Sequence, residues 1–151
     1  MTIPYFDVKL SDNQFGLPDP VVTKQGQGAT GLEYQIVGTT VQSLILRLSS
    51  GQTVYTESGG IGWMSPNIAM NTGTGEGGIG GVFKRVISGS SIFLVEYSTQ
   101  DDEGMVAFTS SFPGRIVPIH LEEGQSTIIQ KKRFLCAESS IKLDTAQQTG
   151  A

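Results

Sequence analysis

The sequence predicts an all-β fold, an antiparallel β-sandwich or barrel-like arrangement with one short helix near residues 82–88. The β-branched residues Ile, Val and Thr supply 38 of the 151 residues, whereas Leu supplies 10 and Ala only 6. Such side chains suit a pleated surface and lose rotamer freedom in helices. Glycine accounts for a further 20 residues. Short apolar runs separated by glycine-containing turns are typical of sandwiches and barrels.

Residues 1–31 are expected to form a polar, partly disordered leader ahead of a β domain over residues 32–151. Three prolines interrupt this leader, and three glycines follow them in a polar stretch. The leader contains three Asp and no Arg, so it is unlike an Arg-rich mitochondrial presequence. It also lacks the charged and then apolar order of a secretory signal.

Alternating apolar residues predict the first strands of the β domain. Leu32, Tyr34 and Ile36 are separated by polar residues, and leucines at 44, 46 and 48 repeat that spacing. A period of two is the pattern of a half-buried strand. A turn at residues 49–52 leads to a returning strand at 53–57, and a further alternation begins at Ile68.

The predicted helix follows residues 73–81, a segment that contains six glycines. The pattern behind this helix is a set of apolar residues at helical spacing with two cations on the other side: Val82, Phe83, Val86 and Ile87, with Lys84 and Arg85. The next run, 92–97, is almost continuously apolar and is predicted to be a strand buried on both faces. The remaining predicted strands cover residues 105–109, 116–121, 127–130 and 134–137.

Two stretches of the chain match at a separation of 73 positions. Residues 48–53 (LSSGQT) resemble residues 121–126 (LEEGQS), and Ile68, Met70, Asn71 and Thr72 align with Ile141, Leu143, Asp144 and Thr145. A duplication explains both matches, and so does the common need of hairpins for a glycine turn. Under a duplication the second unit stops short, so we expect an incomplete domain that associates with copies of itself.

Charge and cysteine content argue against several classes of protein. Ten basic and 14 acidic side chains give a net charge of −4. Nucleic acid is therefore not an expected partner, because such binding depends on neutralised phosphates. The single cysteine, Cys136, excludes an internal disulfide. No apolar run approaches the roughly 18 residues of a membrane-spanning helix. We expect a cytoplasmic protein, or a mitochondrial one if the source is eukaryotic.

No motif in the sequence specifies a catalytic, cofactor or metal site. Residues 75–80 match G-x-G-x-x-G, but a dinucleotide site needs a long helix after this loop. His120 and Cys136 are the only residues of their types. They could form a thiol–imidazole pair, although their positions are more typical of a surface histidine and a small apolar core residue. We therefore expect no enzyme activity, no cofactor and no metal.

Two clusters are candidate interaction sites. The apolar residues of the predicted helix would suit a peripheral membrane surface or a protein partner, or would pack on their own sheet. The basic run at 131–133 would suit phosphate or an acidic partner, or would form a charged loop. The candidate residues are Ile79, Val82, Phe83, Lys84, Arg85, Val86, Ile87, Lys131, Lys132 and Arg133.

The order of several short motifs resembles a known family over residues 32–144. The motifs are Tyr34-Gln35-Ile36-Val37-Gly38, Gly51-Gln52-x-Val54-Tyr55-x-Glu57-x-Gly59, Met64-Ser65, Phe83-Lys84-Arg85, Ser88-Gly89-x-Ser91-x-Phe93, Phe112-Pro113-Gly114-x-Ile116-x-Pro118 and Phe134-Leu135-x-Ala137. Together they resemble the "altered inheritance of mitochondria" family of mitochondrial biogenesis proteins.

The resemblance implies an all-β fold like that of the tryptophan RNA-binding attenuation protein, built as two similar halves and often assembled into trimers. It also implies, for fungal members, a role in organising the mitochondrial inner membrane. It carries over no catalytic residue. From the missing chemistry and this resemblance we expect a non-enzymatic structural or interaction protein that self-associates. A ligand- or RNA-binding β module is the alternative, and an enzyme comes third.

Overall fold

The computed structural model describes residues 21–57, 60–71, 94–144 and 146. Over these ranges the chain forms two antiparallel sheets and almost no helix, which confirms the predicted all-β fold without a closed barrel. The predicted helix near residues 82–88 lies outside the described residues. The strands are, in chain order, β1 (Val22–Gln27), β2 (Glu33–Val37), β3 (Ser43–Ser49), β4 (Thr53–Glu57), β5 (Ile61–Met64), β6 (Ile68–Asn71), β7 (Leu94–Thr99), β8 (Glu103–Thr109) and β9 (Cys136–Glu138).

The first sheet has five strands in the order β1-β2-β3-β8-β5. Its centre is β3, which pairs with β8 over its full length, from Ser43 opposite Thr109 to Ser49 opposite Glu103. The leucines that alternate along β3 account for this position. Leu46 and Leu48 are buried, because they point towards the second sheet, whereas Arg47 on the other face pairs with Glu33 of β2.

The second sheet has four strands in the order β6-β7-β4-β9. The core lies between the two sheets, where the Tyr97 ring of β7 meets the Phe108 ring of β8 edge to face, with centroids 5.2 Å apart. Burial raises the pKa of the Tyr97 hydroxyl. This core unites both sheets in one cluster: Leu32, Leu46, Leu48, Val54, Ile68, Val95, Tyr97, Val106 and Phe108.

The first strand lies within the segment that was expected to be a leader. β1 pairs antiparallel with β2, and a bulge interrupts its register between Val22 and Lys24. Nearly all of its side chains are exposed, so backbone hydrogen bonds hold the strand at the edge of the sheet. The described sheet therefore begins at residue 22, ten residues before the predicted domain start at residue 32.

Two predicted strands, 116–121 and 127–130, are wrong. Residues 110–130 contain no strand, and every residue from 122 to 133 is exposed. The buried side chain of Gln42 helps to hold this part of the chain, because it accepts a 2.7 Å hydrogen bond from the Ile116 N–H. The Gly114 N–H also donates to the Thr40 carbonyl at 2.9 Å. Gln42 also donates to the Gly38 carbonyl and the Thr23 hydroxyl.

Three turns recur with the same hydrogen bonds 73 residues apart. The N–H of residue 52 donates to the carbonyl of residue 49 at 3.0 Å, and that of 125 to 122 at 2.9 Å. The N–H of residue 60 donates to the carbonyl of residue 57, as that of residue 133 does to residue 130. The N–H of residue 68 donates to the carbonyl of residue 65, as that of residue 141 does to residue 138. The first pair also shares positive φ angles, 84° at Gly51 and 82° at Gly124.

Candidate interaction surface

The predicted interaction residues divide into one cluster that the structure places and one that it does not. Ile79 and residues 82–87 lie outside the described part of the chain. The basic run forms a one-turn 3-10 helix, Lys131–Arg133, with all three side chains exposed. Lys131 Nζ lies 3.7 Å from Glu57 Oε1 at the end of β4. Such a solvent-exposed pair contributes little to stability.

Two of the places where the described structure exposes large apolar side chains are of interest for binding. One is the β5 edge, residues 61–64, where Trp63 is 49% exposed and Met64 41%. The other is a segment that we call the arm, residues 122–130, in which Ile128 is 84% exposed and Ile129 43%. Large apolar side chains clustered in water mark an interaction surface more often than scattered ones do.

Among the described strands, none lies on the outer side of the β5 edge. β5 pairs with β8 and ends the five-stranded sheet, so no described strand bonds its outer side. A bulge at Gly62 shifts the register between Ile61 and Trp63. A Cβ at Gly62 would lie 2.8 Å from Thr109 Oγ1, so a larger residue would push β5 off β8. Unpaired backbone groups of this kind are a template for another strand.

A polar network fixes the end of β5 against β8. The Ser65 hydroxyl accepts a 2.9 Å hydrogen bond from the Met105 N–H and donates to Asn67 Oδ1 at 2.6 Å. Asn67 in turn donates from its side-chain nitrogen to the Glu103 carbonyl. This network sits at the turn before β6 and ties the end of β5 to the start of β8.

A second anchor ties β9 to the first sheet. The Glu138 carboxylate accepts hydrogen bonds from the N–H groups of Ala29 and Thr30, at 3.1 and 3.2 Å, and from the Thr30 hydroxyl. A Cβ at Gly28 would come within 2.5 Å of Glu138 Oε1, which explains the glycine there. Glu138 therefore joins the turn after β1 to the last strand of the other sheet.

The two residues considered for nucleophilic chemistry do not suit it. Cys136 lies on β9, and burial together with the nearby Glu138 charge raises the pKa of its thiol. A thiol that stays protonated is a poor nucleophile. His120 is exposed on the strand-free segment after β8. Among the described residues, no group of three or more His, Cys, Asp or Glu side chains could hold a metal ion.

The acidic turn between β7 and β8 faces solvent. Asp101 and Asp102 form it, and with Glu103 and polar neighbours they line a wide, shallow depression. Its walls are mainly polar, without the apolar lining that is typical of a small-molecule pocket. In the described ranges, no helix has the length and apolar character needed to span a bilayer.

Reasoning from the sequence missed both the β5 edge and the arm. Within the arm, residues 127–130 were predicted to be a strand, and β5 was not assigned at all. The available signal was Trp63-Met64, two large apolar residues directly before the Pro66 turn. The predicted basic run Lys131–Arg133 immediately follows the arm, so it borders this surface.

Comparison with known proteins agrees with the fold. A Streptococcus pyogenes serotype M6 protein, described as uncharacterised, is 31% identical over 107 residues, which are 67% of this chain and 42% of that protein. The crystal structure of a Streptococcus pyogenes protein from a structural genomics programme has a TM-score of 0.54 at 24% identity, covering 72% of this chain and 51% of that one. The chain thus spans about half the length of these relatives, and the second likeness concerns the fold alone.

The family assignment rests on a match over most of the chain. A family model described as "Mitochondrial biogenesis AIM24" matches residues 34–151. This range includes both the β5 edge and the arm, and it contains most of the motifs that carried the resemblance in the sequence. The protein therefore belongs to the mitochondrial biogenesis AIM24 family.

Proposed function

We propose that this protein is a non-enzymatic structural or interaction protein that works by associating with copies of itself through its β surfaces. The observation that carries the proposal is the pair of exposed apolar sites, the β5 edge and the arm. Trp63 and Met64 border an open sheet edge, and Ile128 and Ile129 lie on a segment without a strand partner. Covering such surfaces is favourable by about 25 cal/mol per Å² of apolar area removed from water.

The described residues support an interaction role better than a chemical one. The thiol of Cys136 is kept protonated by burial, and the acidic depression is open to water. What the fold does present is the edge backbone of β5, a short strand with a bulge, and edge backbone can pair with another strand. Residues 61–64 contain none of the charges or prolines that commonly protect such an edge.

Size-exclusion chromatography with light scattering tests this proposal at micromolar protein concentration. We expect an oligomer, and a trimer in particular, because the family resemblance implies a fold that is often assembled into trimers. Met64→Lys places a charge on the edge and should shift the mass towards the monomer. Val117→Lys is the matched control, because Val117 is exposed but lies outside both sites. A folded wild-type monomer would overturn the proposal.

A ligand- or RNA-binding role is the second candidate, and the exposed cations at 131–133 favour it. The net charge of −4 opposes it for the chain as a whole. Titration of single-stranded RNA at several salt concentrations tests this role, since each phosphate contact steepens the salt dependence. If the affinity for RNA is unchanged when Lys131, Lys132 and Arg133 are replaced by Ala, these residues do not bind the RNA.

We further propose that the protein acts at a membrane surface or on a protein bound there, in the cytoplasm or, in a eukaryotic source, in mitochondria. The family description and the amphipathic pattern of residues 82–87 support this proposal. Flotation with vesicles containing anionic lipid is the direct measurement. Recovery with the vesicles should fall when Val82, Phe83 and Val86 are replaced by Ser, and equal recovery would contradict the assignment.

A further inference from the structure

The three recurring turns define a relation between two parts of the chain. A shift of 73 residues maps β4 onto residues 126–130 of the arm, and it maps β5 onto residues 134–137, which overlap β9. β4 and β9 are paired in the structure, with Val54 opposite Glu138, Tyr55 opposite Ala137 and Thr56 opposite Cys136. If 73 is added to each residue number of β4 and subtracted from each residue number of β9, this contact becomes one between the arm and β5.

The resulting register is fixed residue by residue. Val54 maps onto Thr127 and Glu138 onto Ser65, so these two would lie opposite each other. By the same rule Ile128 would lie opposite Met64, and Ile129 opposite Trp63. Both members of each of these last two pairs are large exposed apolar residues. A register derived from hydrogen bonds alone thus brings together the exposed apolar side chains of both sites.

This register also agrees with the faces of the five-stranded sheet. Met64 lies opposite Val106, which lies opposite Leu46, which lies opposite Tyr34. This row runs along the core-facing side, where Val106 and Leu46 are buried. Ile128 would extend the row by one apolar residue. Neighbours across a strand pair interact directly, and a slip of one residue would place Ile128 on the wrong face.

We propose that the arm of one copy adds as an antiparallel strand to the β5 edge of a second copy, with Ile128 opposite Met64. This inference rests on the proposed function of self-association and names the surfaces that carry it. We assign the partner as a second copy because the arm of one copy is exposed and forms no strand with its own β5. Each copy gives one arm and offers one edge, so the contacts close in a reciprocal dimer or a ring.

Charge supports the same arrangement. In this register the residue after the arm, Lys131, falls opposite Ile61 of the second copy. Glu57 lies one turn before that position, where the Gly60 N–H bonds the Glu57 carbonyl. The ion pair that Lys131 Nζ and Glu57 Oε1 form within one copy, at 3.7 Å, would thus be re-formed between the two copies. Attraction of this kind favours encounter and weakens as salt rises.

Disulfide trapping between single-cysteine variants tests the register. In a Cys136→Ala background, a Met64→Cys protein is mixed with an Ile128→Cys protein in a redox buffer, so that a bond between them can only join two copies. Directly opposite residues have Cα atoms about 4.5–5.5 Å apart, within the range of disulfides. We expect these two variants to cross-link at least about tenfold faster than Met64→Cys with Ile129→Cys, which points to the opposite face.

The outcomes separate this inference from the proposed function. Equal rates for the two mixtures, or no cross-link in a sample that light scattering shows to be oligomeric, would overturn the strand exchange and leave self-association standing. A monomer would overturn both. A chain carrying both Met64→Cys and Ile128→Cys adds one check. An internal disulfide formed in the monomer would assign the arm to its own edge and contradict the second copy.

Discussion

Residues 48–71 and residues 121–144 share three turns but not their strands. The first region contains β4, β5 and β6, each paired with β7 or β8. The second region has the same turn hydrogen bonds, yet only β9 forms a strand, against β4. A turn is closed by groups within four residues, whereas a strand needs a neighbour from elsewhere in the chain. The comparison separates local from long-range causes of structure.

The strands of the first region take their neighbours from residues 94–109. β7 lies between β4 and β6, and β8 pairs with β5. Residues 126–130 and 141–144 pair with no strand among the described residues, although the turns beside them recur.

The largest predicted difference between the two regions is in the core. Leu48 is 0% exposed, whereas its counterpart Leu121 is only half-buried. Truncating a fully buried leucine leaves a cavity, so Leu48→Ala should lower the free energy of unfolding by about 3 kcal/mol or more. Leu121→Ala should cost less than about 1 kcal/mol, because less apolar area is lost. Urea unfolding of both variants at one protein concentration measures this; equal costs would show that the second region is packed as tightly as the first.

A second prediction concerns the contact between the first region's sheet and the segment that leads into the second. Gln42 is buried and bonds Thr23, Gly38 and Ile116. Gln42→Leu would leave these partners without their bonds and should destabilise the protein by about 2–3 kcal/mol. Gln125→Leu, on the exposed turn, should cost under about 1 kcal/mol. Hydrogen exchange of the Ile116 amide is the specific readout, since it should become fast only in the Gln42 variant.

The turns provide a third and smaller test. Gly51 and Gly124 have positive φ angles of 84° and 82°, and a Cβ would contact nothing within 4 Å at either. The cost of Ala is therefore backbone strain alone, about 1–2 kcal/mol for a left-handed residue. We expect that full cost at Gly51, whose turn joins two paired strands, and less than half of it at Gly124. Thermal unfolding compares the two, and equal shifts would mean that the second turn unfolds together with the sheets.

The central strands could be predicted from the sequence because the pattern of their apolar side chains shows that they are buried. The leucines at 44, 46 and 48 specify β3, and the apolar run from 94 specifies β7. Prediction from the sequence failed for segments whose side chains do not indicate a buried face. β1 is exposed and polar and is held by backbone bonds, and the arm has a strand-like composition but no neighbour. Alternation describes one face of a strand and contains no information about its partner.

The candidate surface was only partly predictable for the same reason. The cations at 131–133 were visible in the sequence, and all three are exposed. The β5 edge depends on which strand ends the sheet, and that order places β5 beside β8, more than forty residues away in the chain. The motif resemblance supplied the fold, but the edge became apparent only from the strand order.

The smallest expected effect concerns β7, the strand that lies between β4 and β6 in the second sheet. Burial raises the pKa of the Glu96 carboxyl above its usual 4.5, because a half-buried carboxylate loses hydration. The folded state then binds the proton more tightly than the unfolded chain, so stability falls as the pH rises from 4.5 through the folded pKa and stays lower above it. Glu96→Gln should raise the unfolding midpoint at pH 7 and leave it nearly unchanged at pH 4. Glu123→Gln, on the exposed arm, is the charge-matched control; a gain for Glu96→Gln of the same size at both pH values would mean that the glutamine acts through packing and not through the lost charge.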